Sequence, residues 1–236
     1  MIELAVFDLA GTTVLDDDDA VNVGFRAALA AHGLEVSPSD VDEVMGYAKP
    51  EAIRTLWERL RGVSPTAAEV GRVHDRFVEL LRRHYQRSPG VCEVPGALAT
   101  FRTLREAGVK VALNTGFSRA IAGALLERLG WFEGQAVDAT ITSDEAPRGR
   151  PHPDMIHALM RRLGVSDAAR VAKLGDTPVD ILEGRNAGCG LVIAVTTGAF
   201  DAARLGALGP TQVLDSVAGA PALLLKGRDR PQLAAR

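Results

Sequence analysis

Four short stretches of the chain carry residues whose types and order could do chemistry together: Phe7-Asp8-Leu9-Ala10-Gly11-Thr12-Thr13, Thr115-Gly116, Gly149-Arg150-Pro151 and Gly175-Asp176-Thr177-Pro178-Val179-Asp180. Two carboxylates brought side by side repel unless a cation sits between them. A hard divalent ion such as magnesium takes a few carboxylates, carbonyls and water. Asp8 and Asp176 are the candidate ligands. The Thr115 hydroxyl, a glycine at 116 that lets a backbone N–H come close, and the fixed charge of Arg150 are what the non-bridging oxygens of a phosphoryl group need. Asp8 also has a plainer reading, as a turn residue whose neighbouring threonines satisfy loose backbone groups.

These stretches converge only if the strands before them are parallel. An apolar run, Ile2-Glu3-Leu4-Ala5-Val6, precedes Asp8, and a second, Val109 to Asn114, runs into Thr115. Further strands are expected at Val137 to Thr142, Val171 to Gly175 and Leu191 to Val195, with helical segments between them. The alternation predicts a parallel sheet covered by helices on both faces, with its ligands bound at the carboxyl edge.

Between residues about 16 and 88 the pattern is helical throughout. Apolar positions at helical spacing run from Val21 to His32 and stop at Gly33; Ser39 can cap a helix, Glu51 to Leu60 follows Pro50, and Thr66 can cap the segment containing Val70 to Tyr85. The first strand needs the later ones as sheet partners, so this stretch reads as an insertion, with residues 1–15 and 89–236 forming the core domain and 16–88 the inserted helical domain. Asp16-Asp17-Asp18-Asp19 reads as a solvated hinge rather than a metal loop. The last dozen residues are expected to fray.

Composition narrows the function classes. The 27 basic and 30 acidic residues are interspersed and leave a net charge of −3, which offers no footprint for nucleic acid or an anionic membrane. Cys92 and Cys189 are too few for a disulfide framework, no long apolar span occurs, and the N-terminus lacks a basic region ahead of an apolar one. A cytoplasmic protein in which any anionic ligand is held by a local site is the expectation.

The four stretches, in this order, resemble the motifs of the haloacid dehalogenase superfamily, and the helical insertion resembles its mobile cap. The resemblance implies a Rossmann-like core with an all-helical cap and Mg2+ as cofactor. Asp8 is then the nucleophile that forms an aspartyl-phosphate, with Thr115, Gly116 and Arg150, and the turn at Ala10 and Gly11, around the phosphate. It implies metal binding by Asp8, Asp176 and the backbone carbonyl of Ala10, and a supporting role for Asp180 toward the metal's waters. Arg150 stands where lysine is commoner.

Phosphatases of that family carry a second Asp two residues after the nucleophile, and here the position is Ala10, which can neither protonate a leaving oxygen nor activate water. The motifs look like those of the phosphonatase branch, the phosphonoacetaldehyde hydrolases. There a cap lysine, matched by Lys49 in Met45-Gly46-Tyr47-Ala48-Lys49, forms an imine with the substrate aldehyde. An imine turns carbon into an acceptable leaving group as an enamine and removes the need for an oxygen acid. Two positions depart from that branch: Ala52 replaces a histidine and Asp18 a cysteine. His74, His84 and His152 are the histidines weighed for substrate contact or proton handling, against surface positions for all three. The expected reaction is cleavage of the C–P bond of phosphonoacetaldehyde or a related phosphonate. The alternatives are a phosphatase of small phosphorylated metabolites with Lys49 binding an anion, and a catalytically weak binding protein. A homodimer through the cap is implied by the resemblance alone.

Overall fold

The computed structural model describes residues 1–15 and 19–227. Asp16 to Asp18, including the position compared with the family's cysteine, and most of the tail expected to fray lie outside the described residues.

Six parallel strands form one sheet in the order β3-β2-β1-β4-β5-β6: β1 (Leu4–Phe7), β2 (Lys110–Thr115), β3 (Ala139–Thr142), β4 (Val171–Gly175), β5 (Leu191–Val195) and β6 (Gln212–Leu214). The expected α/β class, a parallel Rossmann-like sheet with helices on both faces, is what the chain forms. Every residue of β1 is buried, because alternate side chains enter two separate layers. Ala5 and Phe7 pack with Phe101 of α5 (Ala97–Glu106), whereas Leu4 and Val6 pack with Met155 and Ile156 of α7 (Asp154–Leu163). Such two-sided burial is why parallel strands read as continuous apolar runs.

Four helices follow β1: α1 (Ala20–Ala30), α2 (Pro38–Asp42), α3 (Lys49–Arg61) and α4 (Ala67–Arg87). No strand interrupts them among the described residues. Thr66 caps α4 as expected, in a reciprocal box with Glu69. The cap of α2 is Ser37, not Ser39: Pro38 takes the first helical position and Asp40 closes the box three residues on, which places the start two residues earlier. The third helix begins at Lys49 itself rather than after Pro50. Helix α4 packs on α1, on α3 and on α6 (Arg119–Leu129) beside the sheet, so the helical stretch is seated against the core.

The remaining helices are α8 (Pro178–Asn186), α9 (Ala202–Gly206) and α10 (Ala220–Leu224). Strand β6 is not anticipated by the sequence pattern, because three partly exposed edge residues are too short for a periodic signal. No helix among the described residues is long and apolar enough to cross a membrane.

The register of β1 places the chemistry. Phe7 pairs with Leu113 on one side and Leu174 on the other, so the chain leaving β1 at Asp8 emerges between the ends of β2 and β4. This is where the strand order reverses, the place at which open α/β sheets bind ligands.

Candidate active site

Asp8 sits at the carboxyl end of β1, its N–H bonded to Leu174 O at 3.0 Å. The chain then turns sharply: Gly11 adopts φ 80°, Thr13 Oγ1 donates to Asp8 O at 2.9 Å, and Thr12 Oγ1 donates to Asp176 Oδ1 at 2.6 Å. Gly11 is required twice over. Its left-handed φ suits glycine, and a Cβ there would stand 2.4 Å from Asp176 Oδ2. The turn thus brings Asp8 and Asp176 together across the gap between β1 and β4.

Asp8, Asp176 and Asp180 are all buried, with one oxygen of each within 4.8 Å of the others. Arg150 Nη1 is 3.0 Å from Asp8 Oδ1 and 2.5 Å from Asp180 Oδ1. Beneath them Lys173 Nζ reaches Asp180 Oδ1 at 2.9 Å, Asn114 Oδ1 at 2.7 Å and Glu183 Oε2 at 3.4 Å, and Asn114 Nδ2 donates to both Glu183 oxygens at 2.8 Å. Sequence reasoning missed Lys173, Glu183 and Asn114. The one signal was a lysine inside the apolar run Val171-Ala172-Lys173-Leu174, a charge that a strand buried on both faces must pair.

The electrostatics follow from burial and neighbours. Burial raises the Asp8 pKa above its ordinary 3.8, and Arg150 only partly offsets it. Burial and the charges of Asp8 and Asp180 raise Asp176 well above the same value. Burial works the same way on Asp180, but Lys173 and Arg150 outweigh it and hold its pKa at about 2. Burial opposes the charge on Lys173, yet Asp180 and Glu183 raise its pKa above 10.5.

The donor set suits a divalent cation. In the network beneath the cavity four buried carboxylates, Asp8, Asp176, Asp180 and Glu183, face two buried cations, Arg150 and Lys173, while a third buried basic residue, Lys49, lines the cavity from the helical stretch. Fully ionised, the groups of that network leave two negative charges, which one divalent ion neutralises. Asp8 Oδ1 is buried without a hydrogen bond, while both oxygens of Asp180 are taken by Arg150, Lys173 and Thr177. The oxygens with room for a metal therefore belong to Asp8 and Asp176.

Above these groups lies a cavity of about 220 Å3, lined by Asp8, Ala10, Gly11, Thr115, Gly116, Arg150 and Asp176, and also by Lys49, Met45, Gly46 and Asp19 from the helical stretch. All the residues singled out in the sequence for the nucleophile, phosphate and metal thus meet at this cavity, apart from Asp180, which stands behind Arg150. Residues 46 and 47 pass so close to the core that a Cβ at Gly116 would lie 2.8 Å from both their carbonyl oxygens. Lys49 is only 4% exposed. Its Nζ lies 5.5 Å from the ring centre of Phe25, 5.8 Å from that of Phe77 and 5.9 Å from that of Phe117, rings supplied by α1, α4 and the loop after β2. The histidines do not line the cavity. His152 is exposed, His84 is partly exposed on α4, and His74, also on α4, has its pKa lowered by burial.

Residues 2–188 match the family described as haloacid dehalogenase-like hydrolase. The chain is 31% identical over 197 residues to a phosphonoacetaldehyde hydrolase of Bacillus cereus (strain B4264), covering 79% of this chain and 73% of that protein. It is 32% identical over 206 residues to a phosphonoacetaldehyde hydrolase of Pseudomonas putida, covering 84% and 74%. Among solved structures, a phosphonoacetaldehyde hydrolase-like protein from Oleispira antarctica superposes with a TM-score of 0.79 at 27% identity, over 95% of this chain and 92% of that one.

Proposed function

The chain belongs to the haloacid dehalogenase-like hydrolase family, and within it we propose that this hydrolase cleaves the C–P bond of phosphonoacetaldehyde or a closely related phosphonate. The observation that carries this reading is the presence of a buried amine, Lys49, in the same cavity as Asp8, with Ala10 where an oxygen acid would otherwise stand. The curated relatives named phosphonoacetaldehyde hydrolase support the same choice.

In this reading residues 16–88 are a cap that brings Lys49 to the core. Lys49 is the first residue of α3, at the positive end of the helix macrodipole, and is almost wholly removed from water. Attack on an aldehyde requires the neutral form of this amine. The amine condenses with the aldehyde and takes up a proton, losing water and forming a protonated imine, the iminium. Thr115, the Gly116 backbone and Arg150 hold the phosphonyl oxygens. An oxygen of Asp8 attacks phosphorus, the C–P bond breaks, and its electron pair passes into the iminium to leave an enamine on Lys49. Water then cleaves the acyl phosphate on Asp8, and protonation and hydrolysis of the enamine release the aldehyde and restore the lysine.

Mg2+ would be held by Asp8, Asp176 and the Ala10 carbonyl, with Asp180 behind them. When bound it supplies positive charge to the phosphoryl oxygens and offsets the repulsion between Asp8 and its target. Borohydride added with phosphonoacetaldehyde, followed by peptide mass spectrometry, is expected to leave a stable adduct on Lys49. Absence of the adduct, together with turnover by Lys49→Ala, would overturn the imine.

A second reading is a phosphatase of small phosphorylated metabolites in which Lys49 binds an anion. It is favoured by the three ring faces about Nζ, which attract an ammonium, and by Ala52, which supplies no imidazole near the lysine. Phosphate release from several phosphate esters and none from phosphonates would select it.

A further inference from the structure

Below the nucleophile, buried charges of alternating sign form a chain that runs from the cavity into the core: Asp8, Arg150, Asp180, Lys173 and Glu183. We propose that Lys173 is a positioning residue for the reaction, pinning Asp180 so that Asp180 aims Arg150 at Asp8. The inference rests on the reading of Asp8 as nucleophile.

The geometry of Asp180 carries the argument. Its Oδ1 accepts from Arg150 Nη1 and from Lys173 Nζ, and its Oδ2 accepts from Thr177 Oγ1 at 2.6 Å and Thr177 N at 3.2 Å. Each oxygen is engaged twice, so the carboxylate has no room to rotate.

Arg150, by contrast, is held at few points. Its Nε is buried without a hydrogen-bond partner, and the guanidinium does not grip Asp8 as a two-pronged fork. One nitrogen, Nη1, serves both Asp8 and Asp180. Where Arg150 sits relative to Asp8 is therefore decided by where Asp180 Oδ1 sits.

Lys173 fixes that oxygen from below and is itself fixed from two further elements. Asn114 of β2 accepts from Lys173 Nζ and donates to Glu183 of α8, which supplies the countercharge. The triad ties the strand that ends at Thr115 to the strand that ends at Gly175, the two strands that flank β1. A network whose only task was to hold the fold could be exchanged for apolar side chains of similar volume at little cost. One that positions Arg150 could not be exchanged without loss of rate.

That difference defines the test. Lys173→Met/Glu183→Leu removes one buried cation and one buried carboxylate, so two negative charges remain for the metal. Lys173→Gln/Glu183→Gln makes the same charge change but keeps amides able to hydrogen-bond. Phosphate release is followed from phosphonoacetaldehyde and from p-nitrophenyl phosphate, using whichever the unaltered protein turns over, with Mg2+ present. In a folded variant kcat is expected to fall roughly 10- to 100-fold. KM is expected to stay within about threefold, because substrate contacts are intact. Mg2+ affinity measured by calorimetry should also stay within about threefold, since the charge excess is the same.

Unchanged kcat in either folded variant overturns the proposal, as does a loss confined to KM. Failure of both variants to fold assigns the network to the fold and overturns it as well. If the unaltered protein releases phosphate from neither class of substrate, it is the hydrolytic reading of the site that fails.

Discussion

Arg150 stands 3.0 Å from Asp8, with 2% and 5% of the two side chains exposed, and the same guanidinium nitrogen serves Asp180. A cation buried this deeply among carboxylates contributes to both folding and chemistry. Arg150→Ala leaves Asp8 and Asp180 short of a counterion, and breaking a buried pair from one side costs about 3 to 5 kcal/mol. The variant is expected to melt well below the unaltered protein and to lose turnover by a factor of about 100 or more, the order attributed to removing one preorganised charge from a transition state. Denaturant melts and phosphate release check both.

The excess negative charge at Asp176 has a sign that can be tested. Its pKa is raised on folding, so its ionised form opposes folding, and the penalty is relieved as pH falls toward the ordinary value of 3.8. Asp180 acts oppositely: its pKa falls to about 2, so the stability it contributes is present above 3.8 and is lost as pH drops from there through about 2. Without divalent cation, the melting temperature should rise from about pH 8 toward mildly acidic pH and then fall steeply below about pH 4. Added Mg2+ should remove most of the rise by stabilising the protein at neutral pH, by about 2.7 kcal/mol at a hundredfold excess over its dissociation constant. Asp176→Asn should melt higher than the unaltered protein at about pH 8 in chelator, gain nothing from Mg2+, and be inactive. An Asn variant destabilised in chelator would contradict the charge argument.

At Gly116 the helical stretch passes close against the core. A methyl group there would lie 2.8 Å from the carbonyl oxygens of residues 46 and 47 and 3.2 Å from Arg150 Nη2. Gly116→Ala should therefore leave the fold intact and push the segment that carries Lys49 away from Asp8. A displacement of this kind costs on the order of 100-fold in turnover when two groups must act on one substrate. The expected result is a large loss of kcat/KM with a melting temperature little changed, together with a weaker borohydride adduct on Lys49. Retained adduct yield would show that the contact does not set the position of the lysine.

Ala10 offers a gain-of-function check. Ala10→Asp places a carboxylate two residues after the nucleophile, where it can protonate a leaving oxygen, a contribution of about 10²- to 10⁴-fold in other acid-catalysed reactions. Hydrolysis of alkyl phosphates with poor leaving groups should rise in this variant relative to aryl phosphates, while phosphonate cleavage should not. Equal effects on all three would separate position 10 from leaving-group protonation.

Much of this site was legible in the residues. A short apolar run ending in Asp8, a glycine after Thr115, and the aspartates 176 and 180 that follow Gly175 are local patterns, and such patterns are legible in the sequence because strand, turn and helix start are set by neighbours a few residues apart. The parallel pairing of the strands followed from the need of β1 for partners later in the chain. Lys49 was different: a lysine before a proline reads equally well as a surface residue, and it is packing against Phe25, Phe77 and Phe117, brought from positions far apart in the chain, that buries it at the cavity lined by Asp8. Lys173, Glu183 and Asn114 are hidden in the sequence for the same reason. Charge pairing inside a core depends on which elements become neighbours, and that is decided by the sheet as a whole, which puts β2 and β4 on either side of β1. The sequence by itself determined which groups could do the chemistry; the tertiary structure decided which charges lie behind them, because burial converts distant, unremarkable polar residues into partners that must neutralise one another.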